Sequence, residues 1–455
     1  MRRLGACVVA LAGLATAACT SAPVLAPPPR PTPSSSAPAP SSGEDSSTTR
    51  PLVLAVNARR PPLALTEAQA RRVLRGAATD WRQLGQPSGP LRTTHRTDPL
   101  GHLPMDMVAV TVADAVGPAV RVATVGGIDP LREPAAYPLQ VQGPAPGPVT
   151  TLTVVGDVML GRRVTGSPLA PLAARLASAD LTVGNLESTL AELGPPRQDP
   201  VTDSFSADPG VRADLRAAGF DAVSLANNHT GDFGAASLVR TVELLRAGGL
   251  GTFGAGRDLA QAREPEVLER HGVRFGFLGF NAIGETPEAA PGRPGALSVS
   301  MPPRTGPLDR GELDRVLADV RRLQRRADVV VVMPHWGTQY SHRPEAIQHQ
   351  VARELADAGA DLVVGGHPHW VQGAEQMGGT LVVHSLGNFV FDMDFMSQTM
   401  EGLVLEATFW GDRLMAADFV PYRLGPDFAP RVVARDEAAG ILDPFWDLSS
   451  LAATR

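Results

Sequence analysis

Lysine is absent from this 455-residue chain, and all 41 basic side chains are arginines. Together with 42 prolines and many alanines, that absence reads as genomic base bias. Cysteine is nearly absent. Its two copies, Cys7 and Cys19, both lie at the extreme N-terminus, which excludes a disulfide between folded segments. Positive charge is not in excess, and a formal net charge of -6 excludes the basic footprint of a nucleic-acid binder. The apolar run from Leu4 to Ala15 is too short to span a bilayer. What is present is ordinary for a globular protein: 43% hydrophobic and 19% charged residues, on a chain long enough for two or more domains.

The N-terminus has the form of a secretory signal, with Met1-Arg2-Arg3, a short apolar stretch, then Thr16-Ala17-Ala18-Cys19. Small residues before a cysteine, followed by a Pro/Ser-rich stretch, resemble a bacterial lipoprotein signal; Thr16 is the departure from that pattern. The expectation is a signal peptide over 1–19, a lipid on Cys19 that binds the membrane, and an extracytoplasmic protein. Residues 20–50 are Pro, Ser, Ala and Thr, too poor in apolar surface to fold. Extended, such a linker reaches about 3 Å per residue, on the order of 90 Å.

Residues 51–146 read as a small α/β domain, with strands at Pro51–Val56 and Val108–Val112 and a helix from Thr66 to Ala77 that Thr66 caps. Three stretches, Pro62 to Gln69, Gly76 to Gly85 and Tyr137-Pro138-Leu139, resemble one lobe of the periplasmic phosphate-binding protein family. The phosphate-binding Ser/Thr loops of that family are not recognisable, so the resemblance implies an accessory domain and no binding residues. Pro144 to Pro148 is a second linker.

From about residue 150 to 425, apolar strands alternate with helices, the pattern of a layered α/β fold. Strands are predicted at Leu152–Val155, Leu181–Val183, Ala222–Leu225, Arg274–Phe280, Val329–Met333, Leu362–Val364, Leu381–His384 and Leu403–Thr408. Helices are predicted at Leu169–Ala177, Gly210–Ala218, Ala235–Ala247, Asp309–Arg326 and Glu345–Ala358. Residues 426–455 read only as a tail.

Five polar clusters stand where strands end: Gly156-Asp157-Val158-Met159-Leu160-Gly161-Arg162, Gly184-Asn185-Leu186-Glu187, Asn227-Asn228-His229-Thr230-Gly231-Asp232, Pro334-His335-Trp336-Gly337 and Gly366-His367-Pro368-His369. In an open α/β sheet, ligands bind beyond the carboxyl ends of strands, so all five are expected on one rim. Carboxylates, an amide oxygen and imidazoles make a mixed N/O donor set suited to Zn, Mn, Fe or Co. A carboxylate such as Glu187 can bridge two ions.

These stretches, with Ser224 to His229, Gly366 to Gln372 and Ser385 to Phe389, resemble the CapA-type poly-γ-glutamate capsule proteins, six motifs in order over residues 150–425. That family is similar in fold to the calcineurin-like metallophosphoesterases. The resemblance implies an αββα sandwich and two divalent ions, Mn, Fe or Zn. Carried over by position, Asp157 would be a terminal ligand, Glu187 the bridge, Asn228, His335 and His367 ligands of the second ion, and His369 a ligand of the first. His229 would be the acid that protonates the leaving group. Met159 stands where the phosphoesterases usually carry a histidine, and a thioether is a poor ligand for a hard cation, so the expectation is a first site that is weak or empty, or an activity that differs.

Arg162, Asn185 and Trp336 are substrate candidates, with Arg162 equally able to pair with an acid and Trp336 able to be core. Asn388 reads as a turn residue. His271, His342, His349 and His384 have no nameable partner and read as surface or structural. Two functions follow: a metal-dependent hydrolase acting on an anionic envelope polymer or phosphoester, or a non-catalytic lipid-anchored factor that holds the polymer during assembly or export. A phosphate sensor built on residues 51–146 is the third.

Overall fold

The computed structural model describes residues 48–451. The expected signal peptide and all but the last residues of the 20–50 linker lie outside the described residues, Cys19 included. Among the described residues no helix is long and apolar enough to cross a membrane.

Two sheets form the main layers. In the first, the parallel strands Gly251–Phe253, Ala222–Ser224, Leu181–Leu186 and Val149–Val158 lie side by side. The sheet continues through the long antiparallel hairpin Glu401–Trp410 and Arg413–Leu424. In the second, Val273–Asn281, Val329–His335, Leu362–Val364 and Thr380–Leu386 are parallel, with antiparallel edges at Glu266–Arg270 and Val371–Met377. The central strands are near-continuous apolar runs such as Val329 to Val332, as expected where both faces are covered.

The core shows how the layers stack. Leu152, Val154, Leu181 and Val183 of the first sheet pack with Phe275, Val331, Val364 and Val383 of the second in one apolar cluster. The opposite face of the first sheet packs Val155 and Leu186 on Leu172, Leu215, Leu238 and Val242, from the helices Ala170–Leu176, Val211–Ala217 and Ala235–Ala247. The opposite face of the second packs Val330, Val332 and Val363 on Leu313, Val316, Val320 and Leu355, from Arg310–Leu323 and Ala346–Asp357. The order is helices, sheet, sheet, helices: the αββα sandwich. Each predicted strand and helix of this region is present, with bounds within a few residues. Arg310–Leu323 starts on Asp309, whose carboxylate accepts from the Glu312 amide; its arginines face away from the buried leucine and valine stripe.

The preceding segment has its own sheet, in which Thr49–Asn57 pairs with Met107–Val112, Val120–Val122 and Gln140–Gln142. The helix Glu67–Leu74 opens on a reciprocal Thr66–Gln69 cap. This sheet packs Val53 and Ala55 against Trp410 and Met415 of the long hairpin. Arg121 binds Asp418 at 3.0 Å, and Trp410 donates to the Leu131 carbonyl at 2.8 Å. The described residues belong to one compact unit.

Residues 426–451 are built into the main layers. Pro430–Val432 extends the first sheet, and the helix Arg435–Asp447 buries Phe445 and Trp446 in the core between the sheets. Little in the residue pattern signals this helix, because Pro444 interrupts it. Phe445 is fully buried and its ring lies 4.5 Å from that of Phe419. Phe445→Ala should therefore lower the unfolding free energy by about 3–5 kcal/mol in a urea titration; a loss under about 1 kcal/mol would contradict this packing.

Candidate metal centre

Asp157, Asn185 and Glu187 come from two neighbouring strands of the first sheet, and register puts Asp157 opposite Asn185. Asn228 and His229 follow the next strand, Ala222–Ser224. His335 ends Val329–His335 of the second sheet, and a backbone bridge joins it to Gly366, just beyond Leu362–Val364. The clusters thus meet between the carboxyl ends of two facing sheets; the single-sheet rim expected from sequence is half of the arrangement. Gly366 is required here, because a Cβ at that position would lie 2.5 Å from Asp157 Oδ1. His367 and His369 both take left-handed backbone angles, φ 95° and 56°. Such angles cost on the order of 1–3 kcal/mol for a non-glycine residue and gather at functional sites.

The centre is wholly buried and only partly satisfied. Asp157 accepts from Asn185 Nδ2 at 2.8 Å and from the His367 amide at 3.0 Å. Glu187 Oε1 accepts no hydrogen bond. Around it stand the Nε2 atoms of His229, His335 and His369, at 3.8, 3.8 and 3.9 Å. His369 Nε2 and both ring nitrogens of His367 are also buried without a partner. His335 Nε2 and Asn228 Oδ1 are 2.9 Å apart.

Burial dominates the electrostatics. It raises the Asp157 carboxyl to about 6, against hydrogen bonds that favour the anion. Glu187 is pushed well above the usual carboxylate range, first by burial, then by the charges of Asp157 and Asp232. His335 and His367 are held well below the usual imidazole range by burial and then by neighbouring imidazoles. Burial takes His369 to about 4, with its bond to Asn388 opposing. Neutral imidazoles aimed at carboxylates that ionise only at a cost are the donor set a divalent cation completes. Asp157, Glu187 and His335 alone offer three ligand atoms within 4.8 Å of one another.

The remaining candidates divide. Asn185 is a brace: its Nδ2 reaches Asp157 and, at 3.3 Å, Glu187 Oε2, while its Oδ1 accepts from Asn227 at 2.9 Å. Arg162 pairs closely with buried Asp392 and lies 4.2 Å over the Phe205 ring, so the acid-pairing alternative describes it. Trp336 is fully buried, and its Nε1 donates to the His384 carbonyl at 3.1 Å; it is core. Met159 is fully buried in the apolar cluster behind the site, its sulfur accepting from the Gly161 amide at 3.1 Å.

Three residues that orient the ligands and the candidate acid have no role assigned from sequence. Asn388, read as a turn residue, places Oδ1 2.8 Å from His369 Nδ1 and donates to the Thr399 carbonyl, which leaves His369 Nε2 for a cation. Asp232 stands 2.8 Å from His229 Nδ1. Glu285 accepts from Asn228 Nδ2 at 3.1 Å and pairs closely with Arg304, so the Asn228 amide must turn its oxygen toward His335. The spacing Asn228-His229-x-x-Asp232 was visible and Asn388 lies in the Ser385 to Phe389 motif, but Glu285 carries no local signal.

Two outcomes follow. Loss of an outer partner of a metal ligand costs about 10- to 100-fold in affinity. Glu285→Ala should therefore weaken Mn2+ binding by that factor in calorimetry, whereas Glu285→Gln, which can still accept from Asn228, should retain most of it. Because cations compete with protons on the raised carboxylates and not on imidazoles already neutral, Mn2+ affinity should fall as pH drops through about 6, with proton release on binding. Asp157→Asn should reduce that release; affinity independent of pH between about 7.5 and 5 would contradict the assignment.

Comparison with known proteins places this geometry in a lineage. Residues 151–393 match the family model described as bacterial capsule synthesis protein PGA_cap, a span holding every ligand named above. The capsule biosynthesis protein CapA of Bacillus anthracis is 29% identical over 290 residues, 60% of this chain and 67% of that protein. The PGA biosynthesis protein CapA of Bacillus subtilis (strain 168) is 29% identical over 266 residues, 56% of this chain and 67% of that one. Among solved structures, a hypothetical protein from Thermus thermophilus is similar at 19% identity and a TM-score of 0.39, over 60% of this chain and 99% of that chain. With more than half of its length inside that model, the chain belongs to the bacterial capsule synthesis protein family PGA_cap.

Proposed function

We propose that this protein is a divalent-metal-dependent hydrolase of the cell envelope, acting on an anionic polymer such as poly-γ-glutamate or on a phosphoester. The observation that carries the reading is Glu187 Oε1: buried, without a hydrogen bond, and ringed by three imidazole nitrogens at 3.8–3.9 Å. Family membership supports a role in capsule synthesis, and the names of the Bacillus relatives support the polymer. An envelope location, with a lipid on Cys19, is part of the same proposal.

Glu187, Asp157, Asn228, His335, His367 and His369 would hold the ions, which supply Lewis acidity and an activated water when bound. The chain's own residues do the rest. Asp232 accepts from His229 Nδ1–H, steadying the ring and its charge, and turns Nε2 toward the centre. Phe205, stacked on the ring at 3.9 Å, fixes its plane. His229 then holds a proton at Nε2 and passes it to the departing oxygen or nitrogen. The Asn185 brace keeps Asp157 and Glu187 in place as charge shifts.

One observation favours the non-catalytic alternative. Met159 turns its sulfur to the Gly161 amide, and its thioether would be a poor ligand for a hard divalent ion. In that reading the centre holds the polymer and does not cut it.

The two readings separate in one experiment. Metal content and turnover are measured on p-nitrophenyl phosphoesters and on poly-γ-glutamate. His229→Ala should keep its metal and lose about 10²- to 10⁴-fold in kcat, while Asp157→Ala should lose metal as well. Bound metal with no turnover on either substrate would select the holding function.

A further inference from the structure

A second group of ligating side chains stands apart from the centre described above and shares no residue with it. His349 is on the helix Ala346–Asp357, Glu375 on the edge strand Val371–Met377 and His384 on the neighbouring strand Thr380–Leu386. Each offers one ligand atom, and the three lie within 4.8 Å of one another. His384 Nε2 is 2.7 Å from Glu375 Oε1, and His349 Nδ1 makes a close contact with the same oxygen. The two rings lie edge to face at 4.8 Å.

We propose that His349, Glu375 and His384 form a second divalent-cation site, selective for zinc-class ions. Two imidazoles and one carboxylate suit Zn2+ or Co2+ and not Ca2+ or Mg2+, which want oxygen. The ion-pair partners of Glu375 are the two imidazoles, in a chain whose other acids draw mostly on arginine. His384 is buried against the Trp336 ring, so its desolvation is already met by the fold. The His349 side chain is 44% exposed, which leaves a face open for entry and for a water or a fourth ligand. Burial opposes the Glu375 charge, but bonds from the two imidazoles bring its carboxyl to about 2, so it is anionic at neutral pH.

The geometry also bounds the affinity. His384 Nδ1 is buried with no partner, so in the metal-free protein the neutral ring keeps its proton on Nε2, donating to Glu375. A cation on Nε2 moves that proton to Nδ1, where nothing accepts it. Ligating histidines usually donate from the other nitrogen, and loss of such a partner costs about 10- to 100-fold. The site should bind Zn2+ less tightly than one with a complete outer shell.

The test uses the full chain, stripped with chelator and titrated with Zn2+ by calorimetry, with Co2+ as a spectroscopic probe. Glu187→Gln combined with His367→Ala silences the first centre, and circular dichroism checks the fold. The silenced protein should still take up one Zn2+ at micromolar concentration. Adding His349→Ala or Glu375→Gln should weaken that event at least about tenfold and abolish the visible bands of the Co2+ form. In the unsilenced protein, His349→Ala, at a half-exposed position, should lower the zinc stoichiometry by one. Uptake that needs millimolar Zn2+, or that is unchanged by His349→Ala, means a hydrogen-bonded triad only and overturns the site. Because no ligand is shared, the result stands whether or not the first centre proves catalytic.

Discussion

A carboxylate oxygen buried without a hydrogen bond is a heavy constraint for a fold to carry. Desolvating an anion costs several kcal/mol in a real protein, and Glu187 has no guanidinium partner with which to offset it. Around that oxygen stand three imidazoles, with an amide oxygen and a second carboxylate nearby. Without a cation, burial favours the protonated acid. With one, the orphaned Glu187 oxygen gains a partner. The arrangement makes sense as a site whose missing charge comes from outside the chain.

The architecture exists to keep that site assembled. Two mixed sheets face each other, and each sends the ends of its parallel strands into the same space. The first brings the carboxylates and Asn228, the second brings His335 and the His367–His369 turn. Apolar packing of Leu152, Val154, Phe275, Val331 and Val383 holds the sheets together. The strained backbone at His367 and His369 is tolerated because Asp157 pins the His367 amide and Asn388 pins the His369 ring.

What the sequence disclosed follows from what is local. Long apolar strands and amphipathic helices announce themselves, and Ala235–Ala247 was delimited to the residue. Strand-end polar clusters were visible for the same reason. Edge strands were not: Gln372, Gly373, Glu375 and Gln376 break the apolar run of Val371–Met377, although pairing with Thr380–Leu386 makes it a strand. The groups that orient the ligands were hidden because Glu285 and Asn388 act across the fold, 57 residues from Asn228 and 19 from His369. His349 and His384 read as solitary until a strand carried Glu375 between them.

The most direct measurement is anomalous diffraction from a crystal of the chain soaked in Mn2+, recorded near the manganese edge. A peak is expected within about 2.0–2.3 Å of Glu187 Oε1, liganded also by His335, His367 and Asn228, with a second, weaker peak beside Asp157 and His369. A fully exchanged crystal with no anomalous density at Glu187, and that carboxylate hydrogen-bonded to protein or water alone, would contradict it.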